Sequence, residues 1–521
     1  MKRTLYFFIC FGFLLLWSSC RKDFEFSPNT GNLEFSKKTV YLDTVFTNIG
    51  SSTYNLKVYN RSDEDISIPS LSLSRGESSN YRLNVDGNPG KSFTNVEILA
   101  KDSLFIFVET TIDIDNLPTL DEEFLYTDKI EFDSGANLQE VELVTLVKDA
   151  VFIYPDRDET TQVIETLTLN LNGETIETEI QGRELLVEEL NFTNQKPYVI
   201  YGYAAVPNGA TLTVDAGARV HFHANSGLLI SEGASLQVNG TLSTDSDLLE
   251  NEVIFEGDRL EPTFADVPGQ WGAIWLFENS ENNSINYATI KNGTVGLLVD
   301  GNPDAPNDKL TITNTQIYNS SNYGVLARNT SIRAENLVIN NSGQVSFAAT
   351  FGGKYNVTHS TIANYWNNSF RQFPALLINN FTINGNGDTV ITDLAEANFN
   401  NSIIYGNDNP EFLIDEIQAD PLNPVDFNFK FTNCIVRFLD NNNEFSGDNY
   451  NFNDDTKYEG IFRNINPNFR DPNENDLIIG VSSTNGMANP DFTISPFLGV
   501  DILGESRTTA PDIGAYQHIM F

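Results

Sequence analysis

Basic residues are few in this chain, and their scarcity narrows the choice of partners before any motif is considered. Lysine and arginine number 31 against 71 aspartates and glutamates, a formal net charge of −40 over 521 residues. Gripping a nucleic-acid backbone requires lysine and arginine gathered on one face, so no nucleic acid is expected as a partner. Adhesion to anionic lipid by charge alone is excluded on the same ground. Cysteine is scarcer still, at positions 10, 20 and 434 only. With Cys10 in an apolar leader and Cys20 assigned below to another role, Cys434 has no partner, and no disulfide is expected in the mature chain. Its neighbours Phe431, Ile435 and Val436 mark it as a buried, inert thiol. Four histidines, none at zinc-finger spacing from a cysteine, leave little scope for a histidine metal site.

What is present begins with a leader. Lys2 and Arg3 precede an apolar run from Leu5 to Trp17, which is too short for the roughly 20 residues that cross a bilayer as a helix. Ser18-Ser19-Cys20 follows, and this resembles a lipobox, with Trp17 where leucine is usual. The expectation is a lipoprotein signal peptide over residues 1–19, removed to leave Cys20 as the diacylated (palmitate-bearing) first residue. Removal takes Lys2 and Arg3 away, leaving 31 minus 2, or 29, basic residues against 71 acidic ones and a formal charge of −42. The lipid at Cys20 is then the membrane attachment, and residues 20–32, with Asn29-Thr30-Gly31, are expected to be a flexible tether. Arg21-Lys22-Asp23-Phe24-Glu25 resembles the surface-export signals of Bacteroidetes lipoproteins. That resemblance implies an outer-membrane, lipid-anchored protein at the cell surface or, failing export, in the periplasm.

Helical periodicity is nearly absent after the leader. Residues 33–150 instead alternate apolar and polar residues, as in Asn55-Leu56-Lys57-Val58-Tyr59 and Ser103-Leu104-Phe105-Ile106-Phe107-Val108. About seven such strands with turn clusters between them describe an Ig-like β-sandwich. The stretch Val45–Asn60 resembles the Ig-like modules at the base of many bacterial surface proteins, which implies a spacer or docking unit. Residues 151–197 are transitional and are expected to finish the sandwich edge or to cap the next domain.

From residue 198 onward the pattern becomes repetitive. Ala288-Thr289-Ile290-Lys291-Asn292, Thr315-Gln316-Ile317-Tyr318-Asn319, Leu337-Val338-Ile339-Asn340-Asn341 and Ser360-Thr361-Ile362-Ala363-Asn364 align without gaps, their isoleucines 27, 22 and 23 residues apart. Ile404 falls 42 residues later, a distance expected to hold two rungs, and Val436 lies 32 beyond it. A repeat of this length describes a wound parallel solenoid. The isoleucine column should point inward together with the column two residues earlier, namely Ala288, Thr315, Leu337, Ser360, Ser402 and Cys434. Asn292, Asn319, Asn341 and Asn364 should stack as a structural ladder just after the strand. These rungs, with Pro268-Gly269-Gln270-Trp271-Gly272-Ala273-Ile274-Trp275 and the tail Pro511-Asp512-Ile513-Gly514-Ala515-Tyr516, resemble the right-handed parallel β-helix proteins of the pectate-lyase-like superfamily. The resemblance covers residues 198–521. The expected fold class is therefore all-β, an Ig-like sandwich followed by a right-handed parallel β-helix with a C-terminal cap.

The superfamily implies one enzyme reading, cleavage of an acidic polysaccharide by β-elimination, which needs the uronate carboxylate neutralised, usually by Ca²⁺, and a base, commonly Arg or Lys, to take the C5 proton. The residues after the rung isoleucines are Lys291, Tyr318, Asn340, Ala363 and Tyr405, without the carboxylate cluster that calcium requires. Lys354, His359 and Arg371 offer a base and a guanidinium around one coil, and His359 is expected to face outward. Oxygen ligands for Ca²⁺ abound among Asp440, Glu444, Asp448, Asp454 and Asp455, though not at EF-hand spacing. Tyr318, Tyr323, Tyr355, Tyr365 and Trp366 are expected outward, where aromatic faces stack on sugar rings. Trp271 and Trp275, two residues either side of Ala273, are expected to share one packed face. The sequence thus favours an envelope-anchored β-helix that binds or presents itself to extracellular glycan or another macromolecule. The alternatives are a polysaccharide lyase or hydrolase acting on acidic glycan, and a purely structural envelope component.

Overall fold

The computed structural model describes residues 25–117, 123–304, 307–418, 422, 424–445, 447–492 and 498–521. The expected signal peptide and Cys20 lie outside the described residues. The chain divides after Asp149 into two units.

The first unit is a sandwich of two mainly antiparallel sheets. Thr39–Phe46, Gln139–Lys148, Glu123–Phe132 and Ile66–Leu73 build one, and Glu34–Phe35, Tyr54–Tyr59, Ser103–Thr110, Tyr81–Val85 and Asn88–Gly90 the other. Alternation sends Leu56, Val58, Leu104, Ile106 and Val108 inward against Val40, Leu42, Val141 and Leu143, all buried. The end of the expected tether is not free chain. Ser27–Pro28 pairs in parallel with Ile66–Ser67, and Asn29 is buried, its amide donating to Asp133 at 3.3 Å.

The second unit is a right-handed parallel β-helix whose coils have three walls. In one coil, wall A is Ala288–Lys291, wall B is Val295–Asp300, and wall C is the first part of Leu310–Ser320. That last strand turns the corner at Asn314 and becomes wall A of the next coil. The isoleucine column is real: Phe255, Ile290, Ile317, Ile339, Ile362, Ile404 and Val436 are successive register partners on wall A. Every member is buried, as are Ala288, Thr315, Leu337, Ser360, Ser402 and Cys434 two residues before. Each such aliphatic side chain contributes about 1.5–3 kcal/mol of burial. The 42 residues from Ile362 to Ile404 form one coil rather than two rungs, because Ile362 pairs directly with Ile404. The surplus leaves the solenoid as the hairpin Phe381–Ile383 with Thr389–Ile391.

Corners demand backbone that most residues resist. Asn292, Asn319 and Asn341 hold positive φ at the corner from wall A to wall B. Asn314, Asn336, Asn401 and Asn433 hold it at the corner from wall C to wall A, with His359 in the same column. Asparagine tolerates this left-handed region better than other residues with a Cβ. Its amide then links the coils: Asn341 donates to Asn319 at 2.7 Å, Asn336 to Asn314 at 2.8 Å, and Asn314 to Asn286 at 3.0 Å. Asn364 works differently, accepting from the Ser342 and Trp366 amides.

Residues 151–197 already belong to this unit. Val151–Ile153 pairs with Tyr198–Ile200, so it forms the first stretch of wall A. The hairpin Thr166–Leu171 with Glu174–Glu184 lies on the outside of wall B, where Leu167 and Leu169 pack on Ala205, Leu229 and Phe277. The C-terminal segment likewise runs along a side rather than over an end. Phe469, Leu477, Ile479, Ile513, Ala515 and Tyr516 pack on Val338, Ala363, Ile403 and Ile435 of wall A. Arg507 fastens it, donating to Asn336 at 2.6 Å, to the Val500 carbonyl at 2.7 Å and to the Gly514 carbonyl at 2.9 Å. Trp271 and Trp275 part company: Trp271 stacks on Phe222 in the core at 4.3 Å, while Trp275 lies outside, its indole donating to Asp300 at 2.8 Å.

Truncating Arg507 to alanine removes three hydrogen bonds, strands the buried Asn336 and Gly514 acceptors, and should lower stability by about 3 kcal/mol. Urea unfolding measures the loss, and limited proteolysis should show early cleavage within residues 480–521. An unchanged urea midpoint with a resistant C-terminal segment would contradict this account of the fastening.

Candidate functional site

The C-terminal segment covers part of wall A and the early hairpin covers the first coils of wall B, while wall C carries polar outward side chains coil after coil. Two outward columns run up it. Ser284, Thr311, Arg333, Asn356, Asn398 and Lys430 are register partners in one. Asn286, Thr313, Glu335, Thr358, Asn400 and Thr432 are partners in the other. Strand alternation explains both, since the intervening Ile312, Ala334, Val357, Phe399 and Phe431 are buried in the core. The columns are mostly amides and hydroxyls, and they bond along the solenoid. Asn398 donates to Asn356 at 3.1 Å, Asn356 to Glu396 at 3.0 Å, and Thr313 to Asn286 at 2.7 Å.

The middle of this face sinks into a cleft of about 350 Å³. Asn356, Thr358 and Asn400 form its floor, and Asp308, Arg333 and Glu335 one side. Asp491, Phe492 and Leu498 of the C-terminal segment form the other. Arg333 grips Glu335 at 2.6 Å while its own side chain stays half exposed. Lys354 is 4.0 Å from Asp308 at the margin. Charge here is therefore mixed, with carboxylates in excess, and the single aromatic ring among the described lining residues is Phe492.

Of the three residues proposed for catalysis, Lys354 alone lies beside this cleft, and the three share no contacts. Arg371 is buried and holds Glu411 with two bonds of 2.8 Å, plus Asn407 at 3.0 Å. Glu411 is fully buried as well. A guanidinium locked into such a pair cannot serve as a base, and removing either partner would strand a buried charge. His359 does not face outward. It occupies the corner column where neighbouring coils have asparagine, with φ of 46° and its Nε2 at 3.0 Å from the Asn401 amide. Burial, with the Arg507 charge nearby, holds its pKa well below the ordinary histidine value, so the ring is neutral.

The aromatic candidates are scattered. Tyr355 is turned inward: it is fully buried, its hydroxyl donating to the Gly352 carbonyl at 2.9 Å, because its register partners Ile332 and Ala397 are core positions. Trp366 is buried at a corner and donates to Ser369 at 3.0 Å. Tyr365 sits edge-on to Phe469, 6.1 Å away, under the C-terminal segment. Tyr318 is half-buried on wall A, where desolvation pushes its phenol up to about 12. Tyr323 is half-buried at the start of a wall B strand. These five residues line no common surface.

The acids named as calcium ligands are part of an end cap. Phe438, Phe445, Tyr450 and Phe452 pack against Phe412 and one another at the end of the core. Asp440 accepts from the Glu444 and Phe445 amides at 2.9 and 3.0 Å, and Asp454 from the Thr456 amide at 3.0 Å. Asp440, Glu444, Asp448, Asp454 and Asp455 do not converge, and no three acids, histidines or cysteines gather as a cation would need among the described residues. Cys434 is buried, and desolvation raises its thiol to about 12.

One charged row escaped the sequence reading. The outward column of wall A continues below Lys291 to Glu256 and His221, with Lys291 at 3.0 Å and His221 at 3.7 Å from Glu256. Rungs around Val220 and Phe255 lack the Asn-ended motif, so nothing in the sequence marks which of their residues point outward.

No family model matches the chain, and no curated protein matches it. Among solved structures, the catalytic domain of a GH87 α-1,3-glucanase overlaps 78% of this chain and 82% of its own, at 11% identity and a TM-score of 0.23. A family 123 glycoside hydrolase from Clostridium perfringens overlaps 22% of this chain at 11% identity and a TM-score of 0.16, and the chain spans 23% of that enzyme. The PapD-like domain 7 of human CEP192 overlaps 25% of this chain and 91% of its own, at 10% identity and a TM-score of 0.15. At these scores the overlaps carry no argument about chemistry, and the all-β class rests on the strands themselves.

His359 gives a pH test of the corner. Below about pH 6.5 the unfolded chain binds a proton at this ring that the folded chain refuses. His359 should therefore leave stability unchanged above that pH and lower it by about 1.4 kcal/mol per unit below it. His359→Asn, which restores the ladder residue, should flatten that part of the profile in urea midpoints taken from pH 7 to 5. Parallel profiles for the two proteins would contradict the assignment.

Proposed function

We propose that this chain is a lipid-anchored protein of the bacterial outer surface that binds an extended, uncharged glycan along wall C. The observation that carries the reading is the outward column from Ser284 to Lys430, none of whose members is buried, with Thr358 and Asn400 beside it in the cleft. Strands in a sheet lie about 4.8 Å apart, so each coil offers the next donor and acceptor set at a step of the order of one sugar unit. Amides and hydroxyls present both donors and acceptors, which suits the vicinal hydroxyls of a sugar. Solenoid walls in general suit extended ligands.

Charge argues for a neutral ligand over the acidic one that the superfamily resemblance implied. Asp308, Glu335 and Asp491 line the cleft against Arg333, which Glu335 already engages, with Lys354 at the margin beside Asp308. A uronate entering there would meet like charge without a free partner. Hydrolysis is the second reading, favoured by one feature: several carboxylates border a single cleft, and paired carboxylates are what glycoside hydrolysis requires.

Removing two stacked amides of the outward column, Asn356 on the cleft floor and its register partner Asn398, tests binding. Replacing Asn356 and Asn398 together by alanine deletes hydrogen bonds of about 1 kcal/mol each and should weaken retention in gels containing neutral α- or β-glucan at least tenfold. Circular dichroism should show the fold intact. Stronger retention by polygalacturonate than by any neutral glucan would contradict the reading, and release of reducing ends would move it to the hydrolase. The anchor has its own test: Cys20→Ser should shift the chain from the detergent phase to the aqueous phase and abolish palmitate labelling. Unchanged partitioning would remove the lipid from the account.

A further inference from the structure

A second cavity lies on wall B, at the root of the hairpin that covers it. The last residues of Glu174–Glu184 pair with Tyr203–Ala205 as part of the wall, while its earlier residues pair with Thr166–Leu171. Between these regimes, around Glu179 to Gln181, the strand leaves the wall, and the gap is a cavity of about 560 Å³. That volume falls within the range of small-molecule sites.

The cavity is built around one ring. Tyr203 stands at its edge, with Gly227 and Gly272 against it. A Cβ on Gly272 would lie 2.3 Å from the Tyr203 hydroxyl, and one on Gly227 would lie 2.6 Å from its ring. Neither position admits a side chain while the ring stays where it is. Ala273, Val295 and Leu298 continue the apolar floor, and Gln181, Asn225 and Thr294 supply amides and a hydroxyl at the rim. Glu179 is the single charged group among the described lining residues.

We propose that this cavity is a binding site for one uncharged pyranose unit, free or at the end of a chain, distinct from wall C. A pyranose has an apolar face formed by its C–H groups and a girdle of hydroxyls, and the cavity has the complementary layers. The Tyr203 ring and aliphatic floor meet the C–H face, and the two rim amides and the Glu179 carboxylate meet the hydroxyls, with the Thr294 hydroxyl, which donates to the Trp271 carbonyl at 2.8 Å, left to accept. A lone carboxylate accepts from sugar hydroxyls readily and opposes an anionic sugar. The fixed ring loses little freedom on binding, since packing already immobilises it.

Saturation-transfer NMR on the full mature chain tests this, with methyl β-glucoside, galactose, N-acetylglucosamine and glucuronate as probes. At least one neutral probe should show transfer, and glucuronate none. Leu298→Trp, which fills the cavity from its floor, should reduce that transfer at least tenfold while leaving glucan retention by wall C unchanged. Gln181→Ala, on the rim, should weaken it without altering the fold. The Asn356, Asn398 double variant should bind the probe as the natural chain does, which separates this site from wall C. Absence of transfer from every neutral probe, transfer that survives Leu298→Trp, or equal transfer from glucuronate would overturn the proposal.

Discussion

Everything in the larger unit depends on the parallel stacking of one coil on the next. Each wall pairs its backbone only with the walls above and below, so a coil's register is set by its neighbours. A slip by one residue would turn the isoleucine column from the core to solvent. The corners make the stacking affordable in conformational terms. Asparagines at positive φ bend the chain, and their amides join the same corner of the next coil. Apolar columns inside and asparagine ladders at the corners thus address one requirement, a coil that repeats without drift.

The covers follow from the same geometry. A solenoid wall has an outer face that the core does not bury, and its side chains are free to specialise. On wall A, Val338, Ala363, Ile403 and Ile435 point out as apolar residues, and the C-terminal segment buries them. On wall B, Ala205, Leu229 and Phe277 do the same beneath the early hairpin. Wall C has amides, hydroxyls and charged groups in those positions; the column from Ser284 to Lys430 keeps contact with water, while Thr313, Glu335 and Thr432 of the second column are buried. What distinguishes the three walls is the chemistry of their outward columns, and the functional reading rests on that difference.

How much of this was legible in the sequence depended on the range of the interaction. The inward columns of wall A were readable because Ile290, Ile317, Ile339 and Ile362 recur at nearly constant spacing with an asparagine two residues later. The coil containing Ile404 was misjudged because an excursion hairpin has no mark that separates it from a rung. His359 looked like an isolated outward base, although counting from Asn336 and Asn401 would have placed it in the corner column. Arg371 and Glu411 lie 40 residues apart, and only stacking brings them together. Tyr355 was misassigned because its strand belongs to wall C, where the alternation runs in its own phase. Wall C itself was invisible, since an outward polar column leaves no periodic apolar signal.

The central claim, that wall C is the ligand-bearing face, is tested most directly by hydrogen–deuterium exchange with and without a neutral glucan oligosaccharide. Protection confined to peptides spanning Arg333–Glu335, Lys354–Thr358 and Leu394–Asn400, with the sandwich unchanged, is the result the account predicts. Protection confined to the sandwich, or no change at saturating oligosaccharide, would contradict it.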